Sequence, residues 1–185
     1  MPTLRFLIRR HQLRICGAAI AAVLLGPVGH AVAQGADSAR TLDSSDRKFV
    51  EDAAQGNLAE VAMGQLAQQR ASHALVKAFG QRIMQDHGKA NDDLKRVASG
   101  KGMQLPATMG RMHQNNADRL AKLSGAEFDR AYMKHMLDDH KKDISEFEKA
   151  SKSAKDAEVK DFAARTLPTL KSHLQTAQTT YDAVK

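Results

Sequence analysis

Beyond residue 33 the chain has no cysteine, and it has no tryptophan anywhere. The single cysteine, Cys16, sits in an N-terminal apolar run, so the rest of the chain has no disulfide, no thiolate metal site and no cysteine nucleophile. Aromatic residues make up only 4% of the sequence, and the four prolines are almost missing from its body. No stretch alternates apolar and polar residues with period two, which argues against strands and against a β-barrel. Basic residues are interspersed with acidic ones rather than gathered into a stripe with stacking aromatics, which sets nucleic acid aside as a partner. What is abundant is Ala, Lys, Gln, Asp and Leu, the composition of a helical protein.

The long hydrophobic run lies at the N-terminus. Arg5, Arg9, Arg10 and Arg14 form a basic region, Ile15 to Val28 an apolar one, and Ala31-Val32-Ala33 a small-residue cleavage site. This reads as a secretory signal peptide over residues 1–33. The other reading is an uncleaved anchor; Arg9-Arg10 is a poor twin-arginine match, and Cys16 lacks the preceding Leu and small residue of a lipidation site. Removing four arginines and no acid takes the formal charge from +7 to +3, so much of the basic character belongs to targeting. The expectation is a periplasmic protein, loosely envelope-associated through lysine-rich faces at most, with no integral span in its mature form.

About 150 remaining residues suffice for one domain with a real core. Residues 34–43 are small and polar and read as a flexible lead-in; residues 44–184 read as the domain. A first helix is expected from Ser44-Ser45-Asp46 to Ser72, with the stripe Phe49, Ala53, Gly56, Glu60, Met63, Ala67. A second runs over 73–99 through Val76, Gly80, Ile83, His87, Leu94 and Val97, ended by Gly100-Lys101-Gly102. Residues 103–123 form a crossover with Pro106, Gly110 and a helical turn near Leu120 and Leu123. A third helix opens at Ser124, with Glu127 completing a capping box, and carries Phe128, Tyr132, Met136, His140, Ile144 and Phe147. A fourth covers 156–183 through Val159, Phe162, Leu170, His173 and Tyr181, kinked but not ended at Pro168. Two helical hairpins joined by a longer crossover predict an all-α, ferritin-like four-helix bundle. The match of "VKAFGQR" to "VKDFAAR", each in the second helix of its hairpin, supports the duplication.

Each predicted helix has one polar residue on its apolar stripe: Glu60, His87, His140 and His173. Counted from the hairpin turns at ~1.5 Å per residue, all four fall within roughly 6 to 9 Å of one level. Three imidazoles and a carboxylate are a ligand set for copper, zinc or iron, with Met136 as a candidate further donor. Met63, Met84 and Met133 lie within a turn of the same level, and thioethers favour copper(I). Asp86 and Asp139 point about 100° away round their helices and read as surface charges. The alternative is a metal-free polar layer in which the histidines bond to Glu60, Tyr132 or Thr166. The Glu-x-x-His pairs of di-iron carboxylate proteins are absent: Met84, Leu137 and Leu170 stand three residues before the histidines. His73 and His135 read as boundary residues. Met103, Met109, Met112 and His113 form a Met-His cluster that could catch copper, or simply a loop capping one end of the bundle.

The chain also resembles a family. Ala53-Ala54-x-Gly56-x-x-x-Glu60-Val61, Asp86-His87-x-x-x-Asn91, Phe128-Asp129-x-x-Tyr132 with His140, and Leu167-Pro168-x-Leu170-x-x-His173 match a domain-of-unknown-function family of exported bacterial proteins. Its members are often called predicted outer membrane proteins and belong to the ferritin-like superfamily. The resemblance runs from about residue 45 to 182. It implies an envelope-associated helical bundle and brings no established activity. No catalytic motif stands out, so the expectation leans away from an enzyme: a bundle with weak or conditional metal binding, or a metal-free envelope-stress or interaction bundle. A redox enzyme would need an open metal position and a substrate channel.

Overall fold

The computed structural model describes residues 41–185. The signal-peptide reading and most of the lead-in fall outside them. Among the described residues there are five helices and no strand: α1 Ser44–Arg70, α2 Ala74–Gly100, α3 Gly110–Leu120, α4 Gly125–Ser153 and α5 Ala157–Val184. No described helix is long and apolar enough to cross a membrane.

The four long helices lie within two residues of their expected ends. α1 is capped by Asp43, whose carboxylate accepts from the Asp46 N–H, rather than by Ser44, Ser45 or Asp46. Leu42 is buried in the core, so packed chain begins inside the expected lead-in. Asp156 caps α5 through the N–H groups of Glu158 and Val159. Gly102, at φ 63°, ends α2 where a left-handed residue was expected, and the Met103 N–H returns to the Ala98 carbonyl at 2.9 Å. Ser124 sits at the N-cap of α4, but its side chain makes no capping bond, so the capping box does not form. The helix of the crossover, α3, is longer than the expected turn. It buries only Ala117 and Leu120, too few apolar positions for a visible stripe.

α1 pairs with α2 and α4 with α5; α2 also packs on α5, α1 on α4, and α3 on α1. Each hairpin grips the turn of the other. Asp129, near the start of α4, accepts from the Ser72 and His73 N–H groups at the α1–α2 turn, at 3.2 and 2.9 Å. Asp46, near the start of α1, accepts from Lys155 N–H and Asp156 N–H at the α4–α5 turn, at 2.9 and 2.7 Å. Both aspartates are buried. These clamps tie each hairpin to the turn of the other at both ends of the bundle.

α1 and α2 approach backbone to backbone at Gly64 and Gly80. A Cβ on Gly80 would lie 2.7 Å from Ala67 Cβ, and one on Gly64 2.8 Å from the Gly80 carbonyl oxygen. The core is in two parts. One holds Met63, Phe79, Ile83, Phe128, Tyr132 and Met136; the other holds Val50, Ala54, Leu94, Phe147, Phe162 and Leu170. In the first half of α1 the buried face is Val50, Ala54 and Asn57, one position round from the expected Phe49, Ala53 and Gly56. Phe49 instead stacks edge-on against Phe147 at 4.9 Å between ring centres.

Candidate metal centre

The two apolar cores are separated by a polar waist. Glu60 on α1, His87 on α2, His140 on α4 and His173 on α5 are 1%, 4%, 0% and 0% exposed. Burying four such groups demands that they satisfy one another or a bound species.

The hydrogen bonds determine where the imidazole protons sit. His140 Nδ1 lies 3.0 Å from the Met136 carbonyl oxygen, which can only accept, so Nδ1 carries the proton. His173 Nε2 lies 2.7 Å from Asp86 Oδ2 and donates to it. His87 Nδ1 donates to Glu60 Oε2 at 2.6 Å, with Asn57 Oδ1 at 3.0 Å. Each neutral ring is left with one lone pair: His87 Nε2, His140 Nε2 and His173 Nδ1. The last two face each other at 3.3 Å. His87 Nε2 is buried with no partner in the protein. Ligand atoms of the three rings all lie within 4.8 Å of one another.

Two lone pairs at that separation repel unless a cation lies between them. A proton is one solution, but burial opposes it: desolvation lowers the His140 pKa, and lowers that of His173 to about 4 despite the Asp86 hydrogen bond. A metal ion is the other. Two imidazole nitrogens about 2.0–2.1 Å from one ion at a tetrahedral angle lie about 3.3–3.4 Å apart, which is the spacing seen. The donor set fits a borderline transition metal.

Glu60 joins the waist from α1. Its Oε2 faces His87 Nδ1, and its Oε1 lies 3.4 Å from His140 Nδ1, so it meets the proton-bearing side of both rings. Burial alone would raise its pKa, but the positive N–H sides that His87 and His140 turn toward it, with the His87 hydrogen bond, hold it down to about 2. Asp86 is the clearest correction to the sequence reading. Rather than a free surface charge, it is half-buried and accepts from His173 while Arg82 braces it from one turn earlier, at 3.3 Å. Burial opposes its ionisation, yet the His173 and Arg82 bonds keep its pKa below the usual range. Asp139 also departs from its reading: its Oδ2 is buried without a partner, and its carboxylate groups with those of Glu60 and Asp143. Burial, then the charges of Glu60 and Asp139, push Asp143 well above the ordinary carboxylate range.

Asn57 and Asp143 were missed. Helical spacing held the signal, since Asn57 is three residues before Glu60 and Asp143 three after His140. Met136 is fully buried, and its carbonyl oxygen is the atom that meets His140. Tyr132 is buried with its hydroxyl unpaired, and Thr166 bonds back to the Phe162 carbonyl, so neither serves the histidines as the metal-free reading supposed. The crossover cluster does not assemble. Met103 is buried in one core, Met109 packs against the other, and Met112 is exposed. His73 caps α2 through the Leu75 N–H, and His135 is half-buried.

A cleft of about 240 Å³ between α2 and α5 reaches the waist, lined by Asp86, His87, Arg165, Thr166, Thr169 and His173 among others. His87 and His173 form part of its inner wall.

The fold and waist define an all-α helical-bundle protein with a histidine-rich centre. The chain belongs to the family described as "Domain of unknown function (DUF4142)", whose model matches residues 31–180. Two solved structures share the fold. One is the DUF305 fragment from Deinococcus radiodurans: 12% identity, TM-score 0.68, covering 77% of this chain and 99% of that one. The other is CopM in its Cu(II)-bound form: 19% identity, TM-score 0.64, covering 75% of this chain and 96% of that one. No curated protein matches the chain.

Proposed function

We propose that the waist is a binding site for one transition-metal ion, held by His87 Nε2, His140 Nε2 and His173 Nδ1. Glu60 and Asp86 act as outer acceptors that fix the ring tautomers, the role carboxylates commonly take behind ligating histidines. The observation that carries the reading is the facing pair of lone pairs, His140 Nε2 and His173 Nδ1, at 3.3 Å. Copper(II) and zinc suit an imidazole set best, with iron a weaker third. The Cu(II)-bound form of CopM, similar in fold, supports copper. Three protein ligands leave a fourth position, which the α2–α5 cleft supplies from outside.

In this reading residues 1–33 are a signal peptide, and residues 44–184 form a ferritin-like bundle working in the periplasm, close to the envelope. The protein binds and hands on metal rather than catalysing a reaction. The second reading, a metal-free interaction bundle with a structural waist, draws on the buried Glu60–His87 pair, a contact that needs no ion.

The test is metal analysis and titration of protein purified without a histidine tag, beside His87→Ala and His140→Ala variants. About one equivalent of copper(II) or zinc, lost in both variants, is the expected result. A wild type that takes up neither copper(II), zinc nor iron(II) leaves the waist structural.

A further inference from the structure

We propose that a second, all-oxygen cation site adjoins the imidazoles, formed by Glu60, Asp139 and Asp143, and that it takes a hard divalent cation of the Mg²⁺ or Mn²⁺ class. Carboxylate oxygens of these three residues lie within 4.8 Å of one another. Asp139 and Asp143 are one turn apart on α4 and so share the face turned to Glu60 on α1. The grouping alone would mean little, because acidic clusters are common. Two independent observations give it weight.

The first is unpaired buried oxygen. Glu60 is 1% exposed; its Oε2 is committed to His87, and its Oε1 makes no hydrogen bond, with His140 Nδ1 standing off at 3.4 Å. Asp139 Oδ2 is likewise buried and unpaired. Lys142, next to Asp143 in sequence, has its ammonium 3.7 Å from Glu146 and acts on Asp143 only through its charge. Such oxygens call for a donor or a cation. The second is a void of about 20 Å³ beside two of the three carboxylates: its walls include Asn57, Glu60, His87 and Asp143, while Asp139 lies outside its lining. That is room for a single water-sized species.

The chemistry selects the ion. His87 and His140 turn their proton-bearing Nδ1 toward Glu60, so no imidazole lone pair points to this side. Only oxygen donors remain, three carboxylates with Asn57 beside them, and oxygen-only sets suit Mg²⁺, Mn²⁺ and Ca²⁺ over copper or zinc. A single-water void favours the smaller ions of that class. Glu60 is then shared without bridging: Oε2 steadies an imidazole of the first site while Oε1 faces the second. That shared role rests on the proposed imidazole site; the oxygen site itself does not.

The test uses Mn²⁺ as probe, followed by electron paramagnetic resonance on tag-free protein expressed from the full chain. Wild type, Asp143→Asn, Asp139→Asn, His140→Ala and the exposed control Asp138→Asn are titrated in parallel, each also with Zn²⁺. Expected is Mn²⁺ binding weakened at least about tenfold in Asp143→Asn and Asp139→Asn, and kept in His140→Ala and Asp138→Asn. Zn²⁺ binding follows the opposite pattern, lost in His140→Ala and kept in Asp143→Asn. Wild-type spectra matching free aqueous Mn²⁺ overturn the inference and leave the void to water. So does Mn²⁺ binding lost in His140→Ala but kept in both aspartate variants, since the ion is then on the imidazoles. If the Mn²⁺ pattern holds while Zn²⁺ fails to bind, the oxygen site stands and the imidazole reading falls.

Discussion

Asp86 on α2 accepts the Nε2 proton of His173 on α5 at 2.7 Å, and this bond leaves His173 Nδ1 as the free lone pair of the waist. Without the carboxylate, either tautomer is open to the ring, and the Nδ1–H form would present a proton where a ligand atom is wanted. Asp86→Ala should therefore weaken metal binding about 10- to 100-fold, and Asp86→Asn less, because its amide oxygen can still accept. Competition titration against a chelator reads the difference. Equal affinity in wild type and Asp86→Ala would mean that His173 is not a ligand.

Acid should destabilise the metal-free protein in a defined window. His173 has its pKa lowered to about 4 by burial, from 6.5 in the unfolded chain. Between those values the unfolded chain binds a proton that the folded one refuses, so stability present above pH 6.5 is lost as the pH falls toward 4. The loss is on the order of 3 kcal/mol from this group. His140 shifts in the same direction, and Glu60, held down to about 2, continues the loss below pH 4.5. Asp143 works the other way: its raised pKa means that the folded state takes up a proton first, which offsets part of the fall. Melting curves in chelator at pH 7, 5.5 and 4 should show a stepwise drop. A flat profile would place charged imidazoles in the folded waist.

The waist was legible because one polar residue interrupts each long stripe, and because helix rise turns sequence distance into depth. Glu60, His87, His140 and His173 do converge at one level. What stayed hidden was angular. Asp86 sits beside a stripe residue in sequence, and no pattern within α2 could tell that α5, rather than water, would cover that flank. Asn57 stays hidden because the expected stripe of the first half of α1, Phe49, Ala53 and Gly56, lies one position round from the buried face. That ring is large enough to find partners from the edge of the core. α3 was expected only as a turn near Leu120 and Leu123, because it buries just Ala117 and Leu120.

Gly80 should tolerate no side chain. Its Cβ position is 2.7 Å from Ala67 Cβ, and Gly64 facing it leaves no slack. The gain in helix propensity from glycine to alanine, about 1 kcal/mol, is smaller than the strain of separating two helix backbones. Gly80→Ala should be destabilising by about 1–3 kcal/mol in denaturant titration. Gly56→Ala, with nothing within 4 Å, should be neutral or stabilising, and serves as the control.

The clamps should matter more to register than their size suggests. Asp129→Ala leaves the Ser72 and His73 N–H groups without their acceptor at the α1–α2 turn. A loss of about 1–3 kcal/mol follows from the unpaired donors alone. Because the clamp also fixes the axial position of α4 against α1, metal affinity should fall in the same variant, although Asp129 touches no waist residue. Affinity unchanged at reduced stability would show that the helix stripes set the register by themselves.

Replacing the Glu60–His87 pair with apolar residues separates a waist kept for metal from one kept for structure. Glu60→Met together with His87→Leu removes both partners at once, so neither is left charged and alone, and His140 retains its bond to the Met136 carbonyl. Buried ion pairs are often matched or exceeded by well-packed apolar residues, because desolvation consumes most of what the charges return. If the waist serves a metal, the double variant should bind none and melt at or above the wild-type temperature in chelator. Adding metal should then raise the wild-type melting point and leave the variant where it was, by mass action on the folded state. A double variant that loses more than about 2 kcal/mol without metal would instead assign the pair to holding the hairpins in register. The single change His87→Leu should be worse than the double variant, since it strands the Glu60 carboxylate inside the bundle with its strongest partner gone.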